Sequence, residues 1–157
     1  YGCPYTSKVP VSLPQIRIDS SLVGVWRSTE NIGMGNISSL EIEPVDEYNY
    51  LATDVNFKSS DSTFERTEYS AYMSSVGEHL FVNLQAEHGQ KYMIYRLEMA
   101  GENEFTLKEL TDNIDEEFSS SEQFHAFLKE YSHLSFLYNK EETIYQRIKQ
   151  EDGDHTE

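Results

Sequence analysis

Apolar and polar residues alternate in about eight short runs along this chain of 157 residues. Such alternation is typical of β-strands and not of helices. Residues 91–99 are the clearest case, because an apolar side chain stands at every second position, as it does in a half-buried strand. The runs recur about every 8 to 14 residues with short turns between them, which is typical of an antiparallel barrel or sandwich. The predicted strands are residues 21–29, 37–44, 47–57, 63–75, 78–87, 91–99, 104–110 and 141–149.

One segment, residues 119–133, follows a helical period instead. Ser119 stands three positions before Glu122, which is the spacing of a capping box at the start of a helix. Apolar residues then follow at the spacing of one helix face, namely Phe124, Phe127, Leu128 and Tyr131. The pattern predicts a helix of about 10 to 13 residues whose aromatic face packs against the rest of the domain.

The charge balance argues against some classes of partner. The chain holds 28 acidic and 12 basic residues, for a net charge of −16, which disfavours binding to nucleic acids or to an anionic membrane surface. No apolar run approaches the roughly 20 residues that a membrane-spanning helix needs. Aromatic residues make up 13% of the chain, which favours β-structure over disorder. Together with the length, these features predict a single, mainly β domain.

Two motifs and the order of the elements resemble the lipocalin-like proteins of the calycin group, in particular the small bacterial lipoproteins of that type. Gly24-Val25-Trp26 is similar to the Gly-x-Trp that opens the first strand of a lipocalin barrel, and Arg147 is similar to the arginine that lies across its indole. The resemblance covers about residues 21–149 and implies an antiparallel up-and-down β-barrel of about eight strands, with one short α-helix in its C-terminal region. In such a barrel Gly24, Trp26 and Arg147 are structural residues that do no chemistry.

The same resemblance gives a role to Cys3, the only cysteine. Bacterial lipoproteins lose their signal peptide before a cysteine that follows a small residue and then carries lipid, and Gly2-Cys3 is similar to the end of that motif. The resemblance implies a lipid anchor on Cys3 and a location in the cell envelope, on its extracytoplasmic side. The alternative is a stray surface thiol. The predicted organisation is a lipobox end and proline-containing tether over residues 1–20, the barrel domain over residues 21–149 and an acidic tail over residues 150–157.

Templates for catalysis and metal binding find no match in the sequence. There is no Gly-x-Ser-x-Gly elbow for a hydrolase nucleophile, and Gly33-x-Gly35 lacks the third glycine and the following helix of a dinucleotide site. The histidines lack the His-Glu-x-x-His spacing of a zinc protease. We therefore predict a protein without a catalytic residue, cofactor or metal.

Charged and aromatic residues on two of the predicted strands are the candidates for ligand binding. They are Arg66, Tyr72, Tyr92 and Arg96. If their faces point into a barrel, the arginines can hold a carboxylate or phosphate head group, with tyrosines beside them. The alternative, which the more apolar opposite face of residues 91–99 favours, is that both arginines face solvent and pair with glutamates across strands.

These observations lead to two functional hypotheses. The first is a lipid-anchored envelope protein that binds a small hydrophobic or amphipathic ligand in its barrel and is not an enzyme. The second is an interaction module, whose barrel is filled by side chains and whose surface contacts an envelope protein. An eight-stranded barrel is compatible with both, because its interior is either just filled by side chains or able to hold one small ligand.

Overall fold

A computed structural model describes residues 5–29, 36–58 and 60–148. The strands are β1 (Thr6–Ser7), β2 (Gly24–Ser28), β3 (Asn36–Pro44), β4 (Tyr50–Lys58), β5 (Thr63–Val76), β6 (His79–Ala86), β7 (Tyr92–Met99), β8 (Glu104–Glu109) and β9 (Thr143–Arg147). The helical elements are α1 (Ser121–Tyr131) and two 3-10 turns, Ser20–Leu22 and Ser135–Leu137.

Strands β2 to β9 form a closed antiparallel barrel. Each of them pairs with the next one along the chain, and β9 returns to pair with β2. The closing pair places Trp26 opposite Arg147 and Ser28 opposite Tyr145. The prediction of an eight-stranded up-and-down barrel with one helix is confirmed. The pairing of β2 with β9 closes the sheet, so the fold is a barrel and not a sandwich.

The segment before the barrel packs against it. Thr6 and Ser7 pair with the start of β7, just beyond the point where β8 ends. Further along, the Val11 side chain is fully buried, and its backbone amide donates to Asn83 Oδ1 at 2.8 Å. The prediction that residues 1–20 form a tether is therefore wrong for the part that the structure describes, because apolar side chains hold that part to the barrel wall.

Two apolar cores stabilise the fold, one inside the barrel and one outside it. The inner core surrounds Trp26 and Phe105. The outer core lies between the barrel wall, α1 and the N-terminal segment, and it explains why β6 and β7 carry large apolar residues on both faces. Its members are Tyr5, Val11, Val76, Phe81, Ile94, Leu110, Ile114, Phe124, Leu128, Leu137 and Tyr138.

Helix α1 begins one residue later than the sequence predicts. Ser120, not Ser119, is the N-cap, and its hydroxyl oxygen accepts from the Gln123 amide at 3.2 Å. The Ser119 hydroxyl instead donates to the Gln123 side chain at 2.9 Å. Ser119 stands three residues before Glu122, and Ser120 stands three residues before Gln123. The spacing alone therefore cannot show which serine is the N-cap. The buried residues of α1 belong to the predicted aromatic face.

Candidate ligand cup

The closed end of the barrel is built around Trp26 and Arg147. These residues lie opposite each other on β2 and β9, and the guanidinium carbon of Arg147 is 4.3 Å from the centroid of the Trp26 ring. The indole is fully buried and packs edge-on against Phe105, with 4.6 Å between ring centroids. Its Nε1 donates to the Leu22 carbonyl oxygen at 3.0 Å. The structure thus confirms the stacked pair that the resemblance implies.

Arg147 also ties chain segments together through their backbone carbonyl groups. Its Nη1 donates to the oxygen of Val23 at 3.0 Å, and its Nη2 donates to the oxygens of Ser21 and, at 3.4 Å, of Glu102. Gly24 leaves the room for this side chain, because a Cβ at position 24 would lie 2.8 Å from Nη1 of Arg147. The φ of Gly24 is +138°, a conformation that residues with a Cβ rarely adopt. The closed end therefore depends on glycine at position 24 and arginine at position 147.

A cavity of about 370 Å³ lies inside the barrel above this closed end. Its lower part is apolar and includes Leu22 and Phe105. Glu109 stands four residues beyond Phe105 on β8, which corresponds to about 13 Å along a strand. We call this cavity the cup, and its lining residues are Leu22, Leu40, Ile42, Tyr50, Ala52, Asp54, Tyr69, Ala71, Met73, Val82, Leu84, Met93, Tyr95, Leu97, Phe105, Leu107, Glu109, Asn139, Glu141, Thr143 and Tyr145.

Tyrosines and carboxylates line the upper part of the cup. The Tyr95 hydroxyl donates to Glu109 Oε2 at 3.1 Å, and the two residues are direct partners on β7 and β8. Burial, followed by the charge of Glu109, raises the pKa of the Tyr95 hydroxyl well above its ordinary value. Burial and then the charge of Asp54 raise the pKa of Tyr69 in the same direction. Both hydroxyls are therefore protonated at neutral pH and can donate hydrogen bonds.

The carboxylates of the cup have no basic ion-pair partner among the described residues. Asp54, Glu109 and Glu141 line the cavity, and none of the described residues that join them there is Lys, Arg or His. None of the three forms an ion pair with another described residue. A small molecule can therefore bury an apolar end against the floor of the cup and make polar contacts with the hydroxyls and carboxylates above it.

No protein-family model matches this chain, and no curated protein or solved structure does either. The resemblance to lipocalin-like proteins therefore stays a prediction. It is carried by Gly24, Trp26 and Arg147 together with the order of the elements.

The residues predicted to bind a ligand in the barrel lie outside the cup. Odd-numbered residues of β5 and β7 line the cavity, so the even-numbered ones point away from it. The prediction that they bind inside the barrel is therefore wrong for Arg66, Tyr72, Tyr92 and Arg96. Arg66 pairs with Glu41 Oε1 at 2.9 Å and has 56% of its side chain exposed, as the alternative hypothesis holds. The Tyr72 hydroxyl donates to the Ser12 carbonyl oxygen at 2.7 Å, and Tyr92 packs against the outer core.

Arg96 fastens the connection between α1 and β9 to the outer wall of the barrel. Its Nη2 pairs with Glu98 Oε2 at 2.7 Å, and its Nη1 donates to the Ser132 carbonyl oxygen at 3.4 Å. Its guanidinium carbon lies 5.7 Å from the centroid of the Tyr138 ring. Only 14% of the side chain is exposed, so Arg96 is covered rather than solvated, and its glutamate partner stands on the same strand and not across strands as the alternative predicts.

Other predictions concern groups away from the cup. Cys3 and the predicted tail, residues 150–157, lie outside the described residues. Within the described ranges, no three His, Cys, Asp or Glu side chains are placed to hold a metal ion. Over the same part of the chain, every helix is too short or too polar to cross a membrane.

Proposed function

We propose that the protein binds a small apolar or amphipathic molecule inside the barrel. The observation that carries this proposal is the cup itself, with about 370 Å³ of space between an apolar floor and a polar upper part. Pockets for small molecules typically have volumes of about 300 to 1,000 Å³ and combine apolar walls with a few polar groups. The space favours a ligand-binding barrel over a barrel filled by its own side chains.

Small side chains on one wall leave this space open. Ala52 on β4 and Ala71 on β5 both line the cup and are buried. The strands across the barrel, β8 and β9, contribute the larger side chains of Phe105, Leu107 and Tyr145. The lower part of the cup offers no polar partner at these positions, so an apolar body is the occupant that fits there. Removing its surface from water contributes about 25 cal/mol per Å² to binding.

Replacement of Ala71 by phenylalanine is expected to weaken ligand binding at least about tenfold, because the ring occupies the space that the ligand needs. The probe is N-phenyl-1-naphthylamine, an uncharged aromatic compound whose fluorescence rises on transfer from water to an apolar site. Ser70→Phe is the matched control, since it adds the same ring at an exposed neighbouring position on the outer surface.

Wild type and Ser70→Phe are expected to bind the probe with similar affinities, and Ala71→Phe at least about tenfold more weakly. Circular dichroism of the variants establishes that they are folded. The proposal fails if the wild-type protein shows no saturable binding, or if Ala71→Phe binds as tightly as Ser70→Phe.

Lipid attachment at Cys3 and a place in the cell envelope belong to the same proposal. Gly2-Cys3 and the resemblance to small lipoproteins support it. Labelling of cells with radioactive palmitate, after expression from the complete gene, is expected to mark the wild-type protein and not Cys3→Ser. An unlabelled wild-type protein would contradict the anchor and leave the cup unaffected.

A further inference from the structure

The walls of the cup carry negative charge without a counter-charge. Asp54 on β4 and Glu109 on β8 lie on walls that face each other across the barrel, and Glu141 stands just before β9. None of the three forms an ion pair with a described residue, and no described Lys, Arg or His lines the cavity. A carboxylate in a partly enclosed site interacts with charge more strongly than one in bulk water. The occupant of the cup therefore meets a field that favours cations and repels anions.

Tyrosines reinforce this preference. Tyr69, Tyr95 and Tyr145 line the cavity beside the carboxylates. Tyrosine rings attract cations through their faces, and the Tyr95 hydroxyl positions Glu109 by donating to it at 3.1 Å. Phe105 and Tyr145 stack with 5.2 Å between centroids, which continues the aromatic wall toward the floor. The upper part of the cup thus combines aromatic rings with carboxylates, and both kinds of group attract organic ammonium groups.

We infer that the ligand of the cup is an organic cation, an amine whose ammonium group lies among Asp54, Glu109 and the tyrosines while its apolar body fills the floor. This inference rests on the proposed function, because it names the chemical class of the ligand for the same site. The carboxylates supply charge-assisted hydrogen bonds to the ammonium group, and burial of the body supplies the remainder of the affinity.

A matched set of three compounds tests the charge preference. The compounds are 4-phenylbutylamine, 4-phenylbutanol and 4-phenylbutanoate, which share one apolar body and carry a positive, a neutral and a negative head group at pH 7. Isothermal titration calorimetry at low ionic strength is expected to give the amine an affinity at least about tenfold above that of the alcohol, with the carboxylate weakest.

Variants of single carboxylates show which carboxylate causes the preference for the amine. Glu109→Gln keeps an oxygen that accepts from Tyr95 but removes the charge, and it is expected to weaken amine binding about tenfold while alcohol binding stays unchanged. Glu68→Gln is the control, because Glu68 is exposed on the outer side of β5 and its replacement changes the net charge by the same amount. Its affinities for all three compounds are expected to equal those of the wild type.

The outcomes separate this inference from the proposed function. Equal binding of amine and alcohol, or tightest binding of the carboxylate, overturns the inference and leaves a ligand-binding cup. Binding of N-phenyl-1-naphthylamine without binding of the amine overturns it as well. If neither the three compounds nor N-phenyl-1-naphthylamine binds, the inference and the proposed function both fail.

Discussion

Replacing Arg147 by alanine is expected to lower the free energy of unfolding by about 3 kcal/mol. The variant loses the contact with the Trp26 ring and leaves the carbonyl oxygens of Val23 and Ser21 without their donor. A stacked cation contributes about 0.5 to 2 kcal/mol, and each partly buried carbonyl that loses its donor costs about 1 kcal/mol. Urea unfolding measures the difference through the fluorescence of Trp26, since the chain has 1 tryptophan.

Two further arginine variants test whether the loss of stability is specific to the closed end of the barrel. Arg66→Ala removes an exposed ion pair on the outer surface and is expected to cost less than about 1 kcal/mol. Arg147→Lys keeps the charge but loses the planar fork that reaches several carbonyl groups, so it is expected to recover less than half of the loss. Equal losses in Arg66→Ala and Arg147→Ala would contradict the stabilising role of the closed end.

Replacing Gly24 by alanine is expected to cost about 2 to 4 kcal/mol, although the change adds only one methyl group. The backbone of Gly24 has a φ of +138°, and the new Cβ would lie 2.8 Å from Nη1 of Arg147. Alanine therefore adds backbone strain and also displaces the side chain that closes the barrel. The same urea unfolding experiment measures the loss.

Gly77→Ala separates these two causes. Gly77 also has a positive φ, +59°, but a Cβ there meets nothing within 4 Å, so alanine is expected to cost only the strain of about 1 kcal/mol. In an Arg147→Ala background the contact at position 24 is gone, and the cost of Gly24→Ala is expected to shrink to its backbone strain, which exceeds that of Gly77→Ala because a φ of +138° lies outside the left-handed helical region. Strict additivity of the two changes at positions 24 and 147 would show that the contact contributes nothing.

The inward face of β7 follows from the sequence. Residues 91–99 carry their more apolar side chains at odd positions, and Met93, Tyr95 and Leu97 line the cup. The interior of a barrel is less accessible to water than its outer surface, so the more apolar face of a strand is expected to point inward, as it does in β7 but not in β4. Gly24 and Arg147 were identifiable only through the resemblance, because no local pattern shows that they meet.

The alternation does not predict which part of the outer barrel wall is covered by other elements of the chain. Phe81 and Ile94 point outward and yet are fully buried beneath α1 and the N-terminal segment. Val11 hydrogen-bonds to Asn83, and a period of two residues carries no information about a partner so distant in the chain. The prolines of residues 1–20 say nothing about whether the segment docks on the barrel, which is why the tether prediction failed for the described residues.

The polar lining of the cup could be predicted from the sequence only in part, for Glu109 but not for Asp54. Glu109 shares the face of Phe105 and Leu107 on β8, so extending the alternation through residues 104–110 places it inside the barrel. Asp54 lies on the less apolar face of β4, opposite Leu51 and Val55, so the alternation predicts it outside the barrel. Carboxylates on strands are usually solvated, and this general tendency obscured the position of Glu109 even though the alternation predicts it.

Methionine methyl groups offer the most direct test that the barrel interior accepts a small molecule. Met73 and Met93 line the cup, whereas Met99 does not and is 37% exposed. In protein labelled with ¹³C at methionine methyl groups, titration with N-phenyl-1-naphthylamine is expected to shift the Met73 and Met93 signals with saturation and to leave Met99 unchanged. A shift of Met99 alone, or the absence of any saturable shift at Met73 and Met93, would contradict ligand binding in the cup.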